Sequence, residues 1–388
     1  MAVYKIFPNK DATLYSRYAY RNAGRDAILE VSAKNSLDYL RSNIGQIEKS
    51  PYFNYDFSYI ANNALLNNAP NEDIRRAIIS FSDTDIAYVK TLNSSSFRAD
   101  LRLYLAFAQN LSLNYTLNCY PLSQSWDMGT GTFNDWPETE NGVGWQYSGQ
   151  AGTTAAWNSA YGTMNYLFVT GGGTWNSNIS SSQSFQYTSP KDVYMNITSM
   201  VSQWFSGSIN YGLIVKHTSS IEMMTSSYID LKFFSMDTHT IYPPCIDFKW
   251  DDSSFVTSSA IPFLLDSNFI IACENNRSTY KENAIYNFRF KAKDKYPVRQ
   301  FSTSSIYLNW KYLSSSSYWA IQDYKTKEYI VDFDSSYTKL SADTNGNYFK
   351  VYMNGLQPER YYKIVIKTIL PSLEEVLVDN DIIFKVIR

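Results

Sequence analysis

The sequence predicts an all-β chain built as two successive β-sandwiches, and three observations carry that expectation. Short runs of alternating apolar and polar residues recur along most of the chain, separated by clusters of Gly, Asn, Asp and Ser. Tyr, Phe and Trp, with 33, 22 and 9 copies, supply large rings that suit the pleated faces of sheets. At 388 residues the chain exceeds what one small core needs. Two domains are therefore expected, 1–255 and 256–388, with Asp251-Asp-Ser-Ser and Ser258-Ser259 marking the boundary.

The first strand is interrupted by Pro8, alternation resumes from Asp11 to Tyr15, and a turn holding Asn22 and Gly24 leads to a second strand at Ile28-Leu-Glu-Val. Residues 33–71 are polar and irregular and read as an inserted excursion. Arg76 to Phe81 is a strand, after which Ser82 or Asp83 caps a short helix. The runs 97–108 (Leu101, Leu103, Leu105, Phe107) and 111–120 (Leu113, Tyr115, Leu117, Cys119) read as long neighbouring core strands. Residues 123–189 turn rich in Gly, Ser, Thr and Asn, too long for an ordinary loop, and Trp126, Trp136, Trp145, Trp157 and Trp175 are expected to staple them down.

The stretch 192–216 is the corner that the rest of this domain is organised around. Val193, Met195 and Ile197 form a strand, and Thr198 caps a helical turn carrying Met200, Val201, Trp204 and Phe205 on one side. Gly207 and Gly212 then free the chain into a return strand, 213–216. A strand over 228–234 and the alternation Ile246, Phe248, Trp250 close the domain. Beyond it, strands at 288–291, 305–312, 318–323, 329–333, 348–353, 361–368 and 382–387 predict an immunoglobulin- or fibronectin-like sandwich. Leu356 and the Tyr361-Tyr362 pair resemble the corner of such domains, where a Leu enters the core and a Tyr hydroxyl ties down a turn.

Titratable groups suited to catalysis are few. His217 and His239 are the only histidines, too little for a His-dependent triad or a histidine metal site, and both read as hydrogen-bonding side chains. Asp127, Asp135, Glu138 and Glu140 near Trp136 and Trp145 offer a carboxylate pair of the glycosidase kind, although acids in a Gly- and Asn-rich loop more commonly form turns. Gly171-Gly-Gly lacks the Lys-Ser/Thr of a phosphate loop, and Asp251-Asp252 and Asp332-Phe-Asp334 lack calcium-loop spacing. Cys119, Cys245 and Cys273 are odd in number and far apart, so neither a disulfide framework nor a zinc site is expected. A net charge of −2 and the absence of basic runs argue against nucleic acid. The N-terminus has no signal-peptide pattern and no run reaches membrane-spanning length, so a reducing cytosol is the expected compartment.

Two resemblances add to this reading. Lys10-Asp-Ala-Thr-Leu-Tyr, Ala77-Ile-Ile-Ser-Phe, Ala99-Asp-Leu-Arg-Leu-Tyr-Leu, Ser125-Trp-Asp, Val193-Tyr-Met-Asn-Ile-Thr, Val201-Ser-Gln-Trp and Asn210-Tyr-Gly-Leu-Ile-Val together resemble DNRLRE-type domains across about residues 5–250. That family implies a jelly-roll sandwich related to carbohydrate-binding modules; its signature Arg-Leu-Arg strand is replaced here around Ile28 to Val31. The whole chain, from Met1-Ala-Val-Tyr-Lys-Ile-Phe-Pro through Asp237-Thr-His-Thr-Ile-Tyr-Pro-Pro to the segment around Tyr348 and Tyr362, is similar to virion structural proteins of large contractile-tailed phages of marine bacteria.

The second resemblance implies a non-enzymatic particle component without cofactor or metal. It would be assembled in the host cytoplasm into a neck, tail, baseplate or head-surface substructure, with copies of itself and other virion proteins as partners. Inter-subunit contacts are expected from 123–189 or 33–71, since repeated subunits close into symmetric assemblies. The alternative function is a carbohydrate-binding module of a phage fibre that holds host surface glycan on Trp and Tyr platforms.

Overall fold

The computed structural model describes residues 2–18, 20–34, 73–92, 96–150, 152–153, 156–158, 171–222, 229–297 and 309–388. The chain is all-β, with three short α-helices and one 3-10 turn, Met353–Gly355, among the described residues. It divides into two compact units: an N-terminal unit of Ile6–Thr91 and Ala99–Ile246, and a C-terminal unit of Asp247–Arg388 joined by Met1–Lys5 and Leu92–Arg98.

Elements run β1 (Ala2–Ile6), β2 (Pro8–Tyr15), β3 (Ile28–Lys34), β4 (Asp73–Phe81), α1 (Asp83–Leu92), β5 (Phe97–Leu103), β6 (Leu105–Gln109), β7 (Asn114–Pro121), β8 (Ser181–Gln186), β9 (Val193–Asn196), α2 (Thr198–Phe205), β10 (Leu213–His217), α3 (Ser219–Glu222), β11 (Asp230–Phe234) and β12 (Cys245–Trp250). The C-terminal part continues with β13 (Phe269–Cys273), β14 (Thr279–Lys281), β15 (Ile285–Asp294), β16 (Ser317–Asp323), β17 (Tyr329–Val331), β18 (Ser341–Asp343), β19 (Gly346–Tyr352), β20 (Tyr361–Ile369) and β21 (Glu375–Ile387).

In the N-terminal unit one sheet has eight strands, ordered β6-β11-β3-β4-β10-β7-β8, with β2 also on β4. Arg75 pairs with both Tyr15 and Ser32, and Ile79 with both Asp11 and Leu213, so β2 takes one edge of β4 while β3 and β10 share the other in succession. The last residue of β10, His217, therefore lies beside the fork where β3 leaves that edge. A second sheet is ordered β1-β12-β5-β9, with Asp100 to Leu103 of β5 opposite Asn196 to Val193 of β9.

Two expectations for this unit change. Residues 97–108 are not one strand: the chain leaves the four-stranded sheet after Leu103 and enters the eight-stranded sheet at Leu105, and the partners of β7 are β10 and β8. Alternation continues unbroken through the crossing, so period alone hides the change of sheet. Leu113 precedes β7 and is exposed, whereas Tyr115, Leu117 and Cys119 are buried. The excursion 33–71 lies outside the described residues from 35 onward.

The organising corner forms as expected, with Met200, Val201 and Trp204 of α2 buried. Its cap differs. Ile197 occupies the capping position without a side-chain bond, and Asn196 Oδ1 instead accepts from the Thr198 amide (3.0 Å) and hydroxyl (2.6 Å). Thr198 is thereby already helical, and its hydroxyl accepts the Ala99 amide.

The C-terminal unit contains a four-stranded sheet, β13-β15-β19-β18, and a five-stranded sheet, β14-β21-β20-β16-β17. Alternate residues of both enter one apolar cluster, including Phe288, Phe290, Phe349, Trp319, Ile364 and Phe384, the arrangement of a two-layer sandwich. Trp319 stacks on Phe349 with centroids 4.4 Å apart, and Phe290 on the same ring at 5.5 Å. Leu356 enters this core and the Tyr362 hydroxyl donates to the Gln357 carbonyl at 3.0 Å, the corner expected from sequence. The expected strand 305–312 falls outside the described residues up to 308, while β13, β14 and β18 were not anticipated.

Candidate functional site

The long segment after β7 is built onto the eight-stranded sheet by its own side chains. Leu122, Trp126, Val143, Trp145 and Trp157 pack on Ala12, Leu14, Ile74, Ile78 and Ile214, whose alternation turns one face of β2, β4 and β10 toward them. The Trp126 indole donates to the Tyr211 carbonyl at 2.9 Å and Trp157 to that of Gly144 at 3.1 Å. Trp175, partly buried, packs against the same cluster, so four of the five tryptophans act as staples.

Asn22 plugs the middle of the segment. Its side chain is fully enclosed, Nδ2 donates to the carbonyls of Met128 (2.7 Å) and Val143 (2.9 Å), and Oδ1 accepts the Gly131 amide (2.7 Å). Glycine is required alongside it, because a Cβ on Gly142 would lie 2.6 Å from Asn22 Nδ2. Arg21 lies over the rings of Tyr18 and Phe133, at 4.4 and 4.8 Å, and pairs with Glu138. Asp135 accepts from the Thr132 amide (2.8 Å) and hydroxyl (2.7 Å) and from the Thr139 hydroxyl (2.8 Å). The Thr132 amide first, then the two hydroxyls, hold its carboxyl below the usual range.

Two of the four acids of this region are held by neighbouring groups. Asp135 closes a turn, Glu138 is committed to Arg21, and Asp127 and Glu140 are exposed. Trp136 is no staple either: it is 91% exposed, held out between these anchored neighbours.

Beneath the staples lies a buried charge cluster. Glu222 of α3 accepts Arg76 of β4 in bidentate fashion, Nε and Nη2 each at 3.0 Å, and Lys216 of β10 at 2.8 Å. Arg76 also donates to the Gly172 carbonyl at 2.8 Å and sits 4.7 Å from the Trp145 ring and 5.3 Å from that of Trp175. Burial raises the Glu222 carboxyl, but Arg76 and Lys216 outweigh it and hold the group below its usual range. Gly171, Gly172 and Gly173 all take positive φ; at Gly172 a Cβ would meet Arg76 Nη1 at 2.5 Å, so the glycine run exists to let the carbonyl approach the guanidinium.

His217 is fully buried at the strand fork. Its ring nitrogens face the carbonyls of Val31 and Ile229 without closing a hydrogen bond of ordinary geometry, and Tyr115 meets the ring edge-on at 6.3 Å. Burial pushes its pKa down to about 4, against the partial pull of Glu222. His239 is exposed. Asp11, equally enclosed, accepts the Met236 amide at 2.7 Å, and burial pushes it up to about 7. Asp26, half-buried and bound to the Phe133 amide, is pushed up to about 6 by the same cause.

Sequence reading singled out neither Arg76, Lys216 nor Glu222, nor the plug at Asn22. One signal was available: Arg76 and Lys216 occupy the same alternation phase as Ile74, Ile78 and Ile214, which places two cations on a buried face. Asn22 carried no such mark, because it lies in a turn. Among the described residues no group of three or more His, Cys, Asp or Glu side chains is arranged to hold a metal ion, and no helix is long and apolar enough to cross a membrane. The cysteines are free thiols, with Cys119 and Cys245 buried. No family model, curated protein or solved structure matches the chain.

Proposed function

We propose that the chain is a non-enzymatic structural component of a bacteriophage virion, an N-terminal jelly-roll sandwich followed by an immunoglobulin/fibronectin-like sandwich. In this reading it joins copies of itself and other virion proteins in a neck, tail, baseplate or head-surface substructure. The observation that supports it is the inward commitment of polar chemistry: Asn22, Asp135, Arg76 and Glu222 all act on the chain's own loops and strands. Such commitment suits a subunit that must hold one geometry between neighbours. The Tyr362 corner supports the immunoglobulin-like assignment, and the α2 corner between return strands supports the jelly roll.

A glycan platform calls for several coplanar exposed aromatics, whereas Trp126, Trp145 and Trp157 are buried in their own chain. Quantitative mass spectrometry of purified phage particles tests the assignment. Several copies per particle are expected, and absence from the particle would overturn it.

A further inference from the structure

Strand β1 is seated in a different unit from the strand that follows it. Its residues as far as Lys5 belong to the C-terminal unit, whereas β2 belongs to the N-terminal one, and Phe7 alone separates the two strands. Pro8 opens β2 without an amide hydrogen to give, and the pairing of β2 with β4 shifts register between Pro8 and Lys10. The ladder is therefore interrupted at the junction, which makes it a natural hinge.

The seat itself is specific. Val3 enters the aromatic core of the C-terminal unit. The Lys5 ammonium donates to Asp247, with the two side chains only 5% and 4% exposed. Asn354 Nδ2 donates to the Lys5 carbonyl at 2.8 Å, and Gly355 lies so close to the Lys5 stem that a Cβ would come within 3.1 Å of its Cγ and Cδ. The Tyr4 ring meets Tyr352 edge-on at 5.6 Å. Packing beside the strand is nevertheless incomplete, because a cavity lined by Val3, Trp319, Val331, Val351 and Leu356 remains there. Recognition of β1 thus rests on a few directional contacts more than on a filled core. A β1 supplied by another copy makes those same contacts, so exchange between copies is opposed only by the freedom lost on association.

We propose that β1 is an exchangeable strand: in the assembled state the β1 of one copy fills the C-terminal unit of a second, with Phe7 and Pro8 as the hinge. Each copy gives one strand and accepts one, so the exchange closes into a dimer or a ring. This inference rests on the self-assembling reading above.

Reversing the charges of the Lys5–Asp247 pair in full-length chains tests it. Lys5→Asp and Asp247→Lys each set like charges together in an enclosed place, and combining them in one chain restores an opposite pair. Mixing the two single variants also restores opposite pairs, but only across copies. Each single variant should associate at least tenfold more weakly than the parent in sedimentation velocity, and the mixture should yield mixed oligomers in native mass spectrometry. If a single variant does not fold alone, recovery of folded protein only on co-refolding the two is the same result. No recovery from the mixture, while the doubly substituted chain folds, overturns the exchange. So does a parent that associates while the mixture gives no mixed species, or single variants that associate as the parent does; self-assembly then stands on another surface. A parent that stays monomeric at every concentration counts against both.

Discussion

The two units hold their cores together by different chemistry. In the C-terminal unit the centre is aromatic and apolar, with Trp319 and Phe349 stacked and Phe288, Phe290 and Phe384 around them. In the N-terminal unit a layer of loop tryptophans closes over an ionic cluster of Arg76, Lys216 and Glu222, with His217 and Asp11 also enclosed. An apolar core is stabilised by area and shape, which tolerate changes of pH and salt. A buried ionic core depends on every partner being present, because an unmatched charge has no water to fall back on.

The largest effect should come from the ring stack. Trp319→Ala removes a fully buried indole and should destabilise the C-terminal unit by about 4 kcal/mol, read from denaturant unfolding. Hydrogen exchange should place the loss in β15, β16, β19 and β20; protection lost only in the N-terminal unit would break the contrast.

Glu222→Gln should cost about 3 kcal/mol by leaving two buried cations without their anion, although the side chain keeps its shape. The loss should spread to the Gly171–Gly173 run, which Arg76 holds. A neutral outcome would mean that solvent reaches the cluster.

Dependence on pH sharpens the comparison further. Asp11 has a folded pKa of about 7, raised from 3.8, so its contribution is complete below pH 4 and is lost as pH rises through 7. His217 has a folded pKa of about 4, lowered from 6.5, so its contribution is complete above 6.5 and is lost as pH falls toward 4. Each amounts to roughly 3–4 kcal/mol with opposite slope, so the two offset each other between pH 4 and 7, and what remains is the smaller, solvent-screened slope of Asp26, whose raised pKa acts in the same direction as that of Asp11. Asp11→Asn keeps the acceptor for the Met236 amide and removes one slope, and the variant should become acid-labile over that window. A variant profile as flat as the parent's would show that these two groups do not offset each other.

The smallest effect concerns the corner. Tyr362→Phe should cost about 1 kcal/mol, leaving the Gln357 carbonyl without its donor, and thermal unfolding would measure it.

Legibility from sequence follows the same divide. In the C-terminal unit, alternate residues of the long strands face one apolar layer, although these strands too pair across long separations, Phe288 with Phe349 and Trp319 with Ile366. Strands β15, β16, β19 and β20 could be read for that reason, along with the Leu356 and Tyr362 corner. The N-terminal unit is joined over long separations: Asn22 to Val143, Arg76 to Glu222 and Asp11 to Met236. No local pattern encodes such pairs. Trp136 shows the same limit from the other side, since composition grouped it with four neighbours and only the packing of the loop separates the displayed indole from the staples.

Cryo-electron microscopy of the intact phage particle tests the central claim most directly. The account predicts density for this chain in repeated, symmetry-related copies, with Trp136 covered by a neighbouring chain. Particles that lack the chain, or that carry it at a distal tip with Trp136 open to solvent, would contradict it.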